Sequence, residues 1–189
     1  LANMTIIEGD SGIILVDPLT APETAAAALE LYREHRGDRV VVAVIHTHSH
    51  VDHFGGVKGV TSPEDVAAGR VAVIAPVGFT EAALSENVLA GNVMTRRASY
   101  MYGPLLPKGP TGTVSPGLGL GIPLAATSFI EPTVEVTGEV EAMTIDGVEF
   151  TFMLAPDTEA PAEMLFHLPQ FRALCSAEDA THVLHNLYT

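Results

Sequence analysis

The stretch Arg39–Gly56, "RVVVAVIHTHSHVDHFGG", joins an uninterrupted apolar run to a dense group of histidines. The run up to Ile45 is rich in β-branched residues, which is typical of a strand buried on both faces. Four of the chain's eight histidines and one aspartate follow within eight residues. Since open α/β sheets bind ligands at the carboxyl ends of their strands, this order predicts a site directly after the strand.

The spacing of these side chains suits metal ions. In an extended loop, residues two apart face the same side, so His48 and His50 can approach one ion together. Asp52 and His53 come one turn later and can face a second ion nearby. Imidazole and carboxylate ligands suit zinc, and also iron or manganese, better than soft metals. His46 belongs to the strand by its period, and we expect it to pack in the core or behind the ligands.

Further ligands must come from distant parts of the chain, because four side chains do not complete two metal sites. Two later segments, "APDTEAPAEM" and "LCSAEDATH", each follow a predicted strand and carry acidic residues. Spacing alone does not choose between Glu159 and Glu163 in the first segment. It also does not choose between Glu178 and Asp179 in the second.

Strands and helices alternate along the chain. "MTIIEGDSGIILVD" predicts a hairpin, and Thr20-Ala21-Pro22-Glu23 predicts the capped start of a helix that Gly37 ends. "RVAVIAP" predicts a second buried strand, a helical pattern covers residues 80–101, and Asp146-Gly147 predicts the turn of a later hairpin. These elements predict a single layered α/β domain with a mixed sheet.

The composition excludes some functions. The chain has 23 acidic and 9 basic residues, and Arg96-Arg97 is its longest basic run, so nucleic-acid binding is not expected. No apolar run approaches the roughly 18–20 residues of a transmembrane helix. The net charge of −14 would repel an anionic substrate at long range. Such a substrate would need a local positive charge, which a metal site can supply.

The ordered motifs "THSHVDHFGG", "PDTEAPAEM" and "LCSAED" resemble the metallo-β-lactamase fold superfamily, whose first motif is HxHxDH. Within it, "SENVLAGN", "RRASYMYG" and "ALCSAEDATHVLHNLYT" are most similar to the zinc-dependent alkyl sulfatases, which hydrolyse sulfate esters such as dodecyl sulfate. The resemblance implies a layered αββα sandwich with mixed sheets. Residues 1–189 would form one catalytic domain of this kind, incomplete at its C-terminal end.

The resemblance also implies a centre of two zinc ions. Six residues would be its ligands in this chain: His48, His50, Asp52, His53, Glu159 and Glu178. Glu159 would join His48 and His50 at one zinc, at a position where most superfamily members have a histidine. Glu178 would bridge this ion to the second one, and Glu163 and Asp179 would have only structural or supporting roles.

Further roles follow from the same resemblance. Asp52 and Glu178 would be the catalytic residues that act with a zinc-activated water, and Asn186 would contact the sulfate group. Residues 103–123, of which eleven in 21 are Gly or Pro, predict a loop over the site or, equally well, a solvated connector. Three leucines of this loop could line a channel for the alkyl tail: Leu105, Leu106 and Leu118.

The resemblance also implies parts of the family's catalytic domain beyond the end of this sequence. A further histidine of the second zinc, other substrate contacts and the dimerisation region would follow Thr189. We therefore expect a truncated catalytic domain that is inactive in isolation and belongs to a homodimeric parent, and the resemblance favours a periplasmic or secreted location. The alternatives are another hydrolase of this fold, acting on a thioester, lactam or phosphodiester, or an inactive metal-binding fragment.

Overall fold

The computed structural model describes residues 2–117, 119 and 121–181, and two packed sheets dominate it. The first sheet has five strands in chain order: β1 (Thr5–Glu8), β2 (Ile13–Val16), β3 (Val41–Ile45), β4 (Ala72–Pro76) and β5 (Val134–Val136). β1 is antiparallel to β2, and the other neighbours are parallel. This confirms the predicted mixed sheet and its first hairpin.

The second sheet is a four-stranded antiparallel meander. It comprises β6 (Val140–Ile145), β7 (Val148–Leu154), β8 (Met164–Leu168) and β9 (Ala173–Cys175). Asp146 and Gly147 form the predicted turn between β6 and β7, and both have positive φ values, 46° and 81°. Two such residues in succession suit the twist of a tight hairpin.

Five α-helices lie among the described residues: α1 (Pro22–Arg36), α2 (Val51–Phe54), α3 (Pro63–Ala67), α4 (Phe79–Leu84) and α5 (Gly91–Tyr102). α1 ends before Gly37 as predicted, but its N-cap is Ala21 and no side chain caps it, so the predicted cap is wrong. The helical pattern of residues 80–101 is confirmed. A π-helix, Ser85–Leu89, separates α4 from α5 there.

The core follows from the alternation of side chains along the strands. Ile14 and Val16 of β2 face the second sheet, where they join a cluster with Phe150, Phe152 and Phe166. The intervening residues of β2, Ile13 and Leu15, face the opposite way and pack on Ala25 and Leu29 of α1. Both faces of the first sheet are therefore buried, as its continuous apolar strands predict.

The layers are helix, sheet and sheet. Among the described residues, the side chains of β6, β7 and β8 that point away from this core are partly or fully exposed, so these residues supply three of the four predicted layers. The same residues contain no helix with both the length and the apolar character needed to cross a bilayer.

The Gly/Pro-rich segment has neither helix nor strand in its described residues, as predicted, and this irregular stretch continues to Thr133. The continuation is nonetheless fixed to the rest of the molecule. The backbone N–H and the hydroxyl of Ser128 both donate to the carbonyl oxygen of Gly55, at 2.6 and 2.7 Å. Ile130 is buried against the helix side of the first sheet.

Candidate metal centre

The histidine loop begins where β3 ends, at Ile45, and lies against the start of β8. His46, His48 and the residues between them are buried. Thr47 accepts a hydrogen bond through its carbonyl from the backbone N–H of Met164 (2.9 Å), and the N–H of Ser49 donates to the carbonyl of Ala162 (3.2 Å). The loop therefore lies between the two sheets at one end of the sandwich.

Two glycines allow the chain to turn away tightly after α2. A Cβ atom on Gly55 would collide with the carbonyl oxygen of Thr20, and one on Gly56 would collide with the carbonyl oxygen of Pro18. The N–H of Gly56 donates to the carbonyl of Leu19 at 2.8 Å. This close backbone approach fixes α2 against the segment that precedes α1.

The structure brings all six predicted ligands together. Their candidate ligand atoms fall into three overlapping groups, and within each group the atoms lie within 4.8 Å of one another. The groups are His48, His50, Glu159 and Glu178; Asp17, His48 and His53; and Asp52, His53 and Glu178. The last two predicted ligands come from loops that follow β7 and β9, more than a hundred residues after the histidines.

The distances define two neighbouring positions. Nδ1 of His50 lies 2.9 Å from Oε2 of Glu159, and Nε2 of His48 lies 3.5 Å from the same oxygen. Nε2 of His53 lies 3.7 Å from Oδ2 of Asp52. Oε2 of Glu178 lies 3.8 Å from His48 and 3.5 Å from His53, so this carboxylate faces both positions.

Two ring nitrogens show that these residues fit a metal ion. Nε2 of His48 and Nε2 of His53 are buried, and neither has a hydrogen-bond partner among the described residues. The opposite nitrogens are occupied, since Nδ1 of His48 lies 2.9 Å from the Thr47 hydroxyl and Nδ1 of His53 lies 2.8 Å from Asp17. Metal-ligating histidines are commonly held through their other nitrogen in this way.

Asp17 is a residue of the candidate centre that the sequence analysis missed. It follows β2 directly and is buried, and its carboxylate accepts hydrogen bonds from the Thr47 N–H (2.8 Å), the Thr47 hydroxyl (2.7 Å) and His53. The signal was available, because Asp17 stands at the carboxyl end of a strand next to β3. Burial raises the pKa of Asp17, but the charge of His53 outweighs this and keeps that pKa below its usual value.

The side chains of the candidate centre have unusual proton affinities. Burial and the neighbouring charge of His53 lower the pKa of His48 to about 3. Burial also lowers the pKa of His50, but the hydrogen bond and charge of Glu159 prevail and raise it to about 9. The polar contact and charge of His53, whose Nε2 lies 3.5 Å from Oε2 of Glu178, lower the pKa of Glu178. A bound cation would replace protons here, since metal ligands must be deprotonated.

Two more residues near the ligands escaped sequence analysis. Oε2 of Glu86, on the π-helix, lies 3.7 Å from Nε2 of His50, and burial raises the pKa of Glu86. Burial and the charges of Asp52 and Glu178 raise the pKa of Tyr102 to about 12. π-Helical turns are frequent at functional sites, but the sequence has no pattern that would have indicated this one.

The structure separates the acids between which spacing could not choose. Glu163 is buried and accepts a hydrogen bond from the N–H of Ala160 at 2.8 Å; it belongs to none of the ligand groups, and burial raises its pKa to about 7. Asp179 is also outside those groups. His46 is packed in the core as predicted, stacked on Phe79 with 5.1 Å between ring centroids.

A cavity of about 700 Å³ adjoins the centre. Its lining includes Asp17, His53 and Glu178 together with Gly117 and Gly119 of the Gly/Pro-rich segment. That segment therefore borders the candidate site.

The leucines predicted to line a channel do not line this cavity. Leu105 and Leu106 are 88% and 54% exposed, because the loop turns them outward to solvent, so their prediction is wrong for this cavity. Leu118 and Asn186 lie outside the described residues.

Comparison with known proteins gives consistent results. The family model of the metallo-beta-lactamase superfamily matches residues 1–156. A linear primary-alkylsulfatase from Pseudomonas sp. is 53% identical, and an alkyl/aryl-sulfatase from Saccharomyces cerevisiae is 50% identical. Both alignments cover 100% of this chain, which spans only 28% and 29% of the two relatives.

Solved structures agree. A stereoselective inverting sec-alkylsulfatase from Pseudomonas sp. superposes with a TM-score of 0.88 at 49% identity, over 92% of this chain and 27% of that one. The metallo-beta-lactamase IND-7, at 14% identity and a TM-score of 0.53, shares the fold alone. The match over residues 1–156, together with a layered structure that gathers histidines and acids at one end, shows that this chain belongs to the metallo-beta-lactamase superfamily.

Proposed function

We propose that this chain forms most of the catalytic centre of an alkyl sulfatase, a hydrolase that cleaves sulfate esters of alkyl alcohols with two zinc ions. One observation carries the proposal: Glu159 and Glu178 converge on the histidine loop from two distant loops. The named activities of the relatives that match the whole chain support the substrate class.

The ligand roles follow the two positions. His48, His50 and Glu159 would hold one zinc ion, while Asp52 and His53 would contribute to the second. Glu178 would bind both, since its carboxylate faces both histidine positions. When bound, a zinc pair supplies Lewis acidity and lowers the pKa of water toward about 7.

Electrostatics support a pair of cations. The centre gathers four carboxylates, those of Asp17, Asp52, Glu159 and Glu178, in a chain that is already strongly acidic. An anionic sulfate ester would be repelled by this arrangement. Two divalent cations carry four positive charges, which would offset the four carboxylates and remove their repulsion, so that an anionic group could approach the ions directly.

The protein's own groups would orient the reactants. Asp52 is partly exposed, so its carboxylate can accept a hydrogen bond from the attacking water, and Glu178 lines the adjoining cavity. Asp17 would hold His53 in the orientation that directs Nε2 at the metal. Asn186 is the proposed contact of the sulfate group, on the resemblance alone.

The activity is tested in a protein that contains these 189 residues at the full length of its relatives. We expect sulfate release from dodecyl sulfate, measured by ion chromatography, and little hydrolysis of a lactam or a glutathione thioester. Asp52→Ala and Glu178→Ala should each abolish turnover, whereas Glu131→Ala at an exposed position should not. Retained turnover with full zinc content in either site variant would refute the assignment, and faster lactam or thioester hydrolysis would refute the substrate class.

A further inference from the structure

Glu163 is a buried acid for which the proposed metal centre has no direct use. It immediately precedes β8, and only 1% of its surface is exposed. A buried carboxyl lowers stability unless hydrogen bonds compensate for its lost hydration. Its surroundings therefore indicate what it does.

The first contact of Glu163 is with the loop that carries Glu159. Oε2 of Glu163 accepts a hydrogen bond from the N–H of Ala160, the residue directly after Glu159, at 2.8 Å. The backbone carbonyl of Glu163 accepts a second hydrogen bond from the N–H of Ala155 at 2.9 Å. One residue thus closes this loop through both its side chain and its backbone.

The second contact is with the loop that carries Glu178. Oε1 of Glu163 is buried and makes no well-formed hydrogen bond with the described residues. The backbone N–H of Glu178 acts on the same carboxyl and favours its ionised form, while the charges of Asp179 and Glu159 oppose this. The carboxyl of Glu163 therefore lies between the two loops that supply acidic ligands.

The third contact is with the histidine loop. Glu163 and His48 pair as an isolated antiparallel bridge, outside the regular strands. The hydrogen bonds on either side, from Met164 to Thr47 and from Ser49 to Ala162, continue this pairing. This backbone pairing therefore fixes the position of His48 relative to the second sheet.

We propose that Glu163 is a positioning residue that keeps the segments carrying His48, Glu159 and Glu178 in register for metal binding. The inference rests on the proposed zinc centre and adds a residue that does not bind the metal. A merely structural buried acid would affect the stability of the protein and leave its metal affinity unchanged. A positioning residue would change both the local order of the two loops and the metal affinity.

The test compares the native chain with Glu163→Gln, and with Glu131→Gln as an exposed control. Gln keeps the shape but replaces one carboxylate oxygen by an N–H donor, so the backbone N–H of either Ala160 or Glu178 would face a donor in place of an acceptor. In the metal-free protein we expect faster amide hydrogen exchange at Ala160 and Glu178, measured by NMR. Zinc affinity, measured by competition with a chelator, should fall about 10–100-fold, and the visible absorption of the cobalt-substituted protein should change.

The outcomes separate this inference from the proposed function. If the native chain binds no zinc, the proposed zinc centre is wrong. The role of Glu163 in ordering the two loops is then tested by the amide exchange rates alone. Unchanged exchange at both amides, or unchanged zinc affinity in a native-like variant, overturns the role of Glu163. If Glu163→Gln does not fold, Glu163→Asp, which keeps the charge but shortens the reach, is measured in the same way and judged by the same results.

Discussion

Asp17 connects three groups of the candidate centre through one carboxylate. Its carboxylate accepts hydrogen bonds from the backbone N–H and the hydroxyl of Thr47, and that hydroxyl lies 2.9 Å from Nδ1 of His48. It also lies 2.8 Å from Nδ1 of His53. The orientations of two proposed ligands therefore depend on a residue that binds no metal in the proposal.

Asp17→Asn should weaken metal binding. Because the amide is neutral and has only one acceptor oxygen, it cannot hold both Thr47 and His53 as the carboxylate does. We expect the zinc dissociation constant to rise about 10–100-fold, measured by chelator competition in protein whose fold is checked by circular dichroism. Asp38→Asn is the matched control, since that side chain is 87% exposed. Native zinc affinity in Asp17→Asn would show that the carboxylate has no such role.

At the scale of elements, two glycines decide how α2 meets the start of α1. Gly56→Ala would drive a Cβ atom into the carbonyl oxygen of Pro18, which is backbone and cannot rotate away. We expect a loss of about 1–3 kcal/mol in the free energy of unfolding, measured by urea denaturation. Zinc affinity should fall as well, because Asp17 and His53 lie on the two segments that must separate.

Gly91→Ala is the control for this substitution. Gly91 begins α5, and no atom lies within 4 Å of the position its Cβ would take. This variant should be as stable as the native chain, or up to about 1 kcal/mol more stable because alanine favours a helix. Equal effects of the two substitutions would contradict the close approach at Gly56.

The turn between β6 and β7 holds the turn between β1 and β2. The carboxylate of Asp146 accepts hydrogen bonds from the Ser11 hydroxyl (2.7 Å), the Ser11 N–H and the Gly12 N–H (2.7 Å). The N–H of Asp10 donates to the Asp146 carbonyl at 2.8 Å. These bonds, those from Ser11 most of all, keep the pKa of Asp146 below its usual value.

Asp146→Asn should therefore have a pH-dependent effect. The pKa of Asp146 is lower in the folded chain than in the unfolded chain, where it is near 3.9. The ionised carboxylate therefore stabilises the fold fully above the unfolded pKa, and this stabilisation is lost as the pH falls through the folded pKa. At pH 7 we expect a loss of about 1 kcal/mol, reduced from that of a buried charged bond because the turn is partly exposed. Urea denaturation from pH 7 down to pH 3 should show the difference narrowing; a constant difference would contradict it.

At the scale of the whole molecule, the proposed metal ligands link both sheets. The histidine loop follows a strand of the first sheet, whereas Glu159 and Glu178 follow strands of the second. A cation held by both would therefore oppose separation of the sheets. A cation that binds the folded chain but not the unfolded chain stabilises the folded chain, by an amount that depends on its concentration and its dissociation constant.

Zinc should raise the melting temperature, and its removal by a chelator should reverse this. At a free concentration about 100 times the dissociation constant, binding adds about 2.7 kcal/mol. For a domain of this size that corresponds to a rise of roughly 5–10 °C, measured by calorimetry. Magnesium, which prefers an all-oxygen octahedral site, should have little effect. An equal rise with magnesium, or none with zinc, would contradict the proposed centre.

Local patterns in the sequence predicted most of the elements and the position of the centre. The β-branched run before His46 predicted β3, the Asp146-Gly147 pair predicted a hairpin, and four histidines after a buried strand predicted the site. Each is a short-range signal, because strand alternation and turn geometry involve neighbouring residues. The superfamily resemblance, carried by the order of three motifs, agrees with the family match.

Spacing did not decide which distant acids join the histidines; the resemblance implied Glu159 and Glu178, and the tertiary structure places both beside the histidine loop. Glu159 and Glu163 are four residues apart in one segment, and spacing treats them alike. Glu159 lies in a loop whose side chains reach His50. The backbone of Glu163 pairs with that of His48, and this pairing places the Glu163 side chain outside the ligand groups. The position of Asp17 beside the histidines likewise depends on the pairing of β2 with β3. The position of Glu86 depends on a π-helical turn. Such choices arise from contacts between segments far apart in the chain, which local periodicity does not record.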